Sequence, residues 1–252
     1  MEDKVLKFPE KHPAIFIVIL SLVGLVVAGV LSRLFAVTSI GTELGGGLLR
    51  ILFGLLFALI GRRLLHPHKA FRGFVMILPA FLFAVFNVAN HYMTGGTEYN
   101  LLTGTMIILS LAPAIYEEVI FRGLQIGLLQ RKYDSPIRIV VISAAVFSLV
   151  HLTNLVGMNV IAVLIQVVYS MVIGMVLGAV YLKSGDLISV ILVHMLIDLT
   201  SRIFPGTGST PYYVLGIYAA LLILEVIYAL VLTGKKNAED PSADQNMHLT
   251  DD

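Results

Sequence analysis

Leu111-Ala112-Pro113-Ala114-Ile115-Tyr116-Glu117-Glu118-Val119-Ile120-Phe121-Arg122-Gly123 reads as the middle of a long apolar helix into which two adjacent carboxylates and an arginine are set. A charge at bilayer depth costs at least about 2.5–3.5 kcal/mol, so such groups face a bundle interior and mark function. The rest of the chain supports that setting. Of its 252 residues 58% are hydrophobic, and the mean hydropathy is +0.91. Soluble domains run near 45–50% apolar, so the chain reads as an all-α, polytopic membrane protein. There are no cysteines, which excludes disulfides, thiolate nucleophiles and cysteine metal sites. A net charge of +1 implies no nucleic-acid partner. The apolar stretch from Pro13 to Ser32 is too long for a signal-peptide core, and no cleavage site follows it.

A membrane-spanning helix needs about 20 mainly apolar residues. Eight stretches qualify, near 13–35, 43–61, 71–90, 101–129, 137–156, 159–182, 186–204 and 212–233. Pro113 is the expected site of a kink in the fourth. With the N-terminus cytoplasmic, thirteen basic residues fall inside: Lys4, Lys7, Lys11, Arg62, Arg63, Lys69, Arg72, Arg131, Lys132, Arg138, Lys183, Lys235 and Lys236. Only Arg33 and Arg202 fall outside, while Arg50 and Arg122 lie within helices. This asymmetry predicts eight spans with both termini cytoplasmic. The chain divides into three N-terminal spans (1–100), a polar-bearing core (101–205), a last span (206–234) and a polar tail (235–252) whose composition predicts disorder.

Two later spans carry polar groups as well: His151 in one, His194 and Asp198 in the other. Measured at 1.5 Å per residue from the inner helix ends, Glu117 lies about 18 Å deep, His151 about 21 Å and His194 about 16 Å. Nothing in their sequence separation forces that agreement. Glu118 and Arg122 are four apart and share a helix face, so they are expected to pair. Glu117, about 100° round the helix, is left to point toward His151 as a general base for water. Of the remaining histidines, His12, His66, His68, His91 and His248 lie in polar segments and are expected to be solvated. Glu225 stands alone in the last span, with the cavity or Arg50 as its candidate partners. Gly174 and Gly178 are expected to let helices approach closely.

Glu117-Glu118-x-x-x-Arg122, Phe147-x-x-x-His151 and His194-x-x-x-Asp198 together resemble the three motifs of the CAAX protease and bacteriocin-processing (CPBP, or Abi) family of intramembrane proteases. The resemblance covers roughly residues 107–200. It implies an endopeptidase in which Glu117 and His151 activate water while His194 and Asp198 stabilise the oxyanion. Glu118, Arg122 and Phe147 have supporting parts. It implies either no cofactor or a divalent metal such as zinc, for which Glu117, His151, His194 and Asp198 are the candidate ligands. There is no H-E-x-x-H helix. The prenyl endopeptidases of the family carry asparagine where this chain has Asp198, and an ionised aspartate cannot donate to an oxyanion. Asp198 is therefore protonated, orients His194, or binds metal. The implied partners are the lipid bilayer and a prenylated protein, a bacteriocin-type peptide or another membrane-associated peptide. The implied setting is a bacterial cell membrane, with the chain as a monomer. The basic loops suggest that the site opens to the cytoplasm. Two readings compete: a non-catalytic scaffold or immunity protein on the same fold, and a proton-coupled transporter. The second lacks paired broken helices in an inverted repeat.

Overall fold

The computed structural model describes residues 7–66, 71–206 and 210–234. The tail at 235–252, His68 and His248 lie outside these. Among the described residues there is no strand, and eight long helices carry the fold. They are α1 (Pro13–Phe35), α2 (Gly41–Ile60), α3 (Phe74–Met93), α4 (Gly104–Gln130), α5 (Pro136–Val156), α6 (Val160–Ser184), α7 (Leu187–Ile203) and α8 (Tyr212–Gly234). Seven are long and apolar enough to cross a membrane by length and composition. The other, α7, has 17 residues, about 25 Å of helix, and its His194, Asp198 and Arg202 dilute its hydropathy. The architecture is the expected all-α polytopic bundle.

Local sequence explains where the helices begin and end. Thr103, Ser135, Asn159 and Asp186 each accept a hydrogen bond from a first-turn N–H of the helix that follows, which satisfies an orphan donor. Gly185, at φ +70°, ends α6 in the left-handed conformation that glycine adopts without strain. The polypeptide departs from α geometry at Val119–Gln125, which is π-helical. Helix α4 runs as ordinary α-helix through Pro113, so the irregularity comes six residues after the expected kink. A π turn widens the backbone ladder, and there Ser143 Oγ of α5 donates to the Phe121 carbonyl at 3.1 Å.

Helix α4 is the centre of the bundle. It packs against α2, α7, α1 and α5, while α6 packs against α5 and α8, and α7 against α3. Gly54 lets α2 approach closely: a Cβ there would lie 2.9 Å from Ile115 Cγ2 and 3.2 Å from Tyr116 Cα. Gly174 does the same for α6 against Ala144 at 3.1 Å, whereas a Cβ at Gly178 would meet only ordinary contacts.

The two ends of the bundle differ. One gathers the helical turn at Lys7–Lys11 with the α2–α3, α4–α5 and α6–α7 connections. There Arg131 pairs with Glu10 at 2.7 Å, Lys132 Nζ donates to the Lys11 carbonyl at 2.7 Å, and the Gly73 N–H donates to Asp186 Oδ2 at 2.9 Å. The other end gathers the α1–α2, α3–α4, α5–α6 and α7–α8 connections. Asn100 ties it together by donating to the carbonyls of Arg202 and Ile203. His91 departs from the expectation of a solvated histidine: it is buried at this second end, with Nδ1 2.8 Å from the Pro205 carbonyl. The basic residues Lys11, Arg62, Arg63, Arg72, Arg131, Lys132, Arg138 and Lys183 belong to the first end, and Arg33 and Arg202 to the second.

Candidate active site

A cavity of about 510 Å³ lies inside the bundle, walled by α1, α2, α4, α5, α6 and α7. Glu117, His151, His194 and Asp198 all line it. Three widely separated parts of the sequence therefore deliver their polar groups to one space. Leu22, Leu25, Val26, Val150, Ile173 and Ile197 supply apolar wall. A largely preformed cleft of this size with a few convergent polar groups is the usual form of a small-ligand or catalytic site.

Behind the cavity lies a sealed polar core. Arg122 Nη1 donates to Glu118 Oε1 at 2.8 Å, and both side chains are fully buried. The same Oε1 receives His194 Nδ1 at 2.6 Å. Glu118 thus does more than neutralise Arg122, because it also fixes the ring of His194. The Arg122 guanidinium stacks over the Phe147 ring, 4.3 Å from its centroid, a favourable placement for a desolvated cation. Phe147 meets the His151 and His194 rings edge-on, with centroids 4.9 and 6.2 Å away. It is the spacer that sets the two imidazoles apart.

With Nδ1 engaged by Glu118, His194 turns Nε2 into the cavity. That nitrogen lies 3.8 Å from Glu117 Oε2 and 3.9 Å from Asp198 Oδ2. Both distances are too long for direct hydrogen bonds. His151 Nδ1 donates to the Phe147 carbonyl at 2.9 Å, so Nε2 is its remaining polar atom. No hydrogen bond or ion pair among the described residues joins Glu117 to His151. Asp198 does not hold His194; Glu118 does.

The donor set of two imidazoles and two carboxylates is one that zinc accepts. Each imidazole Nδ1 is also anchored by an oxygen, as ligand histidines commonly are. As arranged, however, no group of three or more His, Asp or Glu among the described residues could hold a metal ion. The positions do not fit a metal centre without rearrangement, and no step proposed for the site runs through one.

Several cavity residues carry no motif and were not legible as site residues. Arg50 of α2 and Arg202 of α7 line it, and Arg202 donates to the Leu109 carbonyl at 3.3 Å. Asn154 donates to Gln166 Oε1 at 2.8 Å, tying α5 to α6 on the cavity wall. Glu225 is neither in the cavity nor paired with Arg50. It is buried on α8 with Oε2 lacking a hydrogen-bond partner among the described residues.

Residues 99–200 match the family model described as Rce1-like, type II CAAX prenyl endopeptidase Rce1-like. This stretch is similar to an Rce1-like domain. It runs from just before α4 through most of α7, and it contains all seven motif residues from Glu117 to Asp198. Arg50 and Arg202 fall outside it. The matched family is the one that the three motifs resemble, and the likeness is confined to this stretch of the chain. Comparisons with curated proteins and with solved structures each give no match.

Proposed function

We propose that the protein is an intramembrane endopeptidase that hydrolyses a peptide bond of a membrane-associated peptide or prenylated protein with water activated by Glu117. The observation that carries this reading is the convergence of Glu117, His151, His194 and Asp198 on one cavity within the Rce1-like stretch. Water binds between the Glu117 carboxylate and His151 Nε2, two acceptors for its two protons. Glu117 takes one proton as the water oxygen attacks the scissile carbonyl carbon. The oxyanion forms beside His194 Nε2. A second proton on that ring makes it an imidazolium that donates to the oxyanion while Nδ1 continues to donate to Glu118. Glu117 then passes its proton to the departing nitrogen and the C–N bond breaks, leaving an amine and a carboxylic acid whose proton, the second one of the water, passes to His151 Nε2 to give the carboxylate. Asp198 acts through His194, its negative charge favouring the imidazolium at 3.9 Å.

The test is cleavage of quenched peptides in proteoliposomes, with prenylated CAAX and bacteriocin-leader sequences as probes. Wild type is expected to cleave at least one. Glu117→Gln and His151→Ala are expected to abolish that cleavage, and a chelator to leave it intact. Cleavage that survives Glu117→Gln would refute the role of Glu117, and inhibition by chelator reversed by zinc would replace the proposed water activation with a metal-dependent one. A scaffold role would lead if Glu117→Gln kept the protein's effect in cells.

A further inference from the structure

The cavity runs from the middle of the bundle toward one end: on α1, α2 and α4 its lining, residues 21–26, Arg50 and residues 113–121, is mid-helix. Its lining on α5 runs from Phe147 to Asn154, the second half of that helix, and on α6 from Gln166 to Ile173, the first half. On α7 it runs from His194 to Arg202, again the second half. In an up-and-down bundle these halves all lie toward the same end, the one with the α5–α6 and α7–α8 connections. The exposed lining residues Val26, Arg50, Thr153 and Arg202 lie at mid-helix or toward that end. Toward the opposite end the path is filled. Every residue from Glu118 to Leu129 of α4 is buried, as is every residue from Val172 to Tyr181 of α6, and the buried pair of Glu118 and Arg122 forms the floor.

The filled end is the basic one. Thirteen lysines and arginines fall to its side in the sequence, against Arg33 and Arg202 on the other. Basic connections of this length face the cytoplasm. The expectation that the site opens among the basic loops is therefore reversed by where the cavity lies. We infer that substrate reaches Glu117 from the extracytoplasmic face of the membrane. The substrate class is then an exported or outer-leaflet peptide, and a chain prenylated in the cytoplasm would meet the sealed side. The direction of opening stands on geometry and charge alone, while its meaning for substrate rests on the protease reading.

The absence of cysteine makes the test direct. Single cysteines are placed at Thr153→Cys and Arg202→Cys on the cavity rim, at Gly157→Cys on the α5–α6 connection and at Arg63→Cys among the basic loops. Intact cells expressing the full chain are treated with a membrane-impermeant maleimide, before and after permeabilisation. The three positions at the cavity end are expected to label in intact cells, at least tenfold more than Arg63→Cys, which labels after permeabilisation. The reverse pattern overturns the inference. So does labelling of Gly157→Cys from outside with neither rim position reached, since the cavity would then open elsewhere. Peptide cleavage is read separately. Labelling from outside without cleavage keeps the entry side and sinks the protease reading, whereas cleavage with labelling only from inside does the converse.

Discussion

Glu117 and Glu118 are neighbours in sequence and belong to different halves of the molecule. Glu118 closes a dry core in which every side chain from Val119 to Leu129 is buried, and its oxygen is shared between Arg122 and His194. Glu117 stands in a cavity, part-exposed, with no hydrogen-bond or ion-pair partner nearer than 3.8 Å among the described residues. The difference shows how one helix can do two jobs. A carboxylate that is paired and desolvated fixes geometry, since moving it would strand a charge in low dielectric. A carboxylate left without a close partner on a cavity wall is free to meet what enters the cavity.

The comparison breaks most visibly at Arg122. Removing one member of a buried ion pair leaves its partner uncompensated and costs about 3–5 kcal/mol. Arg122→Met is expected to lose that much, measured as a large fall in unfolding temperature in detergent, and to lose cleavage because His194 is no longer held. Combining it with Glu118→Gln removes the stranded charge and is expected to restore much of the stability without restoring activity. Glu117→Gln should show the opposite profile. Its kcat is expected to fall by about 10²–10⁴-fold while the unfolding curve stays where it is. Should Glu117→Gln destabilise as much as Arg122→Met, the division between the two glutamates would be wrong.

Much of this was legible in the sequence, and the residues show why. Apolar length located the spans, and the four-residue spacing of Glu118 and Arg122 announced their ion pair. The depth at which Glu117, His151 and His194 would meet followed from helical rise alone. What did not follow was the contact between Glu118 and His194. Spacing within one helix says nothing about which neighbouring helix a shared face meets, and the π turn at Val119–Gln125 resets the angular position of everything after Glu118. The direction of the cavity was hidden for a related reason. Basic residues tell which end of a bundle faces the cytoplasm, but only packing tells which end is filled. Burial of His91 required the α7–α8 connection to fold over it, which no local pattern records.

Helix packing against α4 gives a smaller effect that sharpens the same contrast. Gly54→Val would push a side chain into Ile115 and the Tyr116 backbone, one residue before Glu117. Overpacking of this kind costs about 1–3 kcal/mol. Because the strain falls on the cavity side, KM and kcat are expected to change along with the unfolding temperature.

The smallest effect concerns a third acid. Glu225 is buried on α8, away from the cavity, and its Oε2 lacks a hydrogen-bond partner among the described residues. Neither of the arrangements that justify Glu117 and Glu118 applies to it. An unpaired buried polar group costs free energy that an apolar side chain of similar size does not. Glu225→Leu is therefore expected to raise stability by about 1 kcal/mol and to leave cleavage unchanged, read from unfolding temperature and peptide turnover in the same preparation. A loss of activity at unchanged stability would mean that Glu225 serves the reaction from outside the Rce1-like stretch, and the functional half of the molecule would have to be redrawn to include α8.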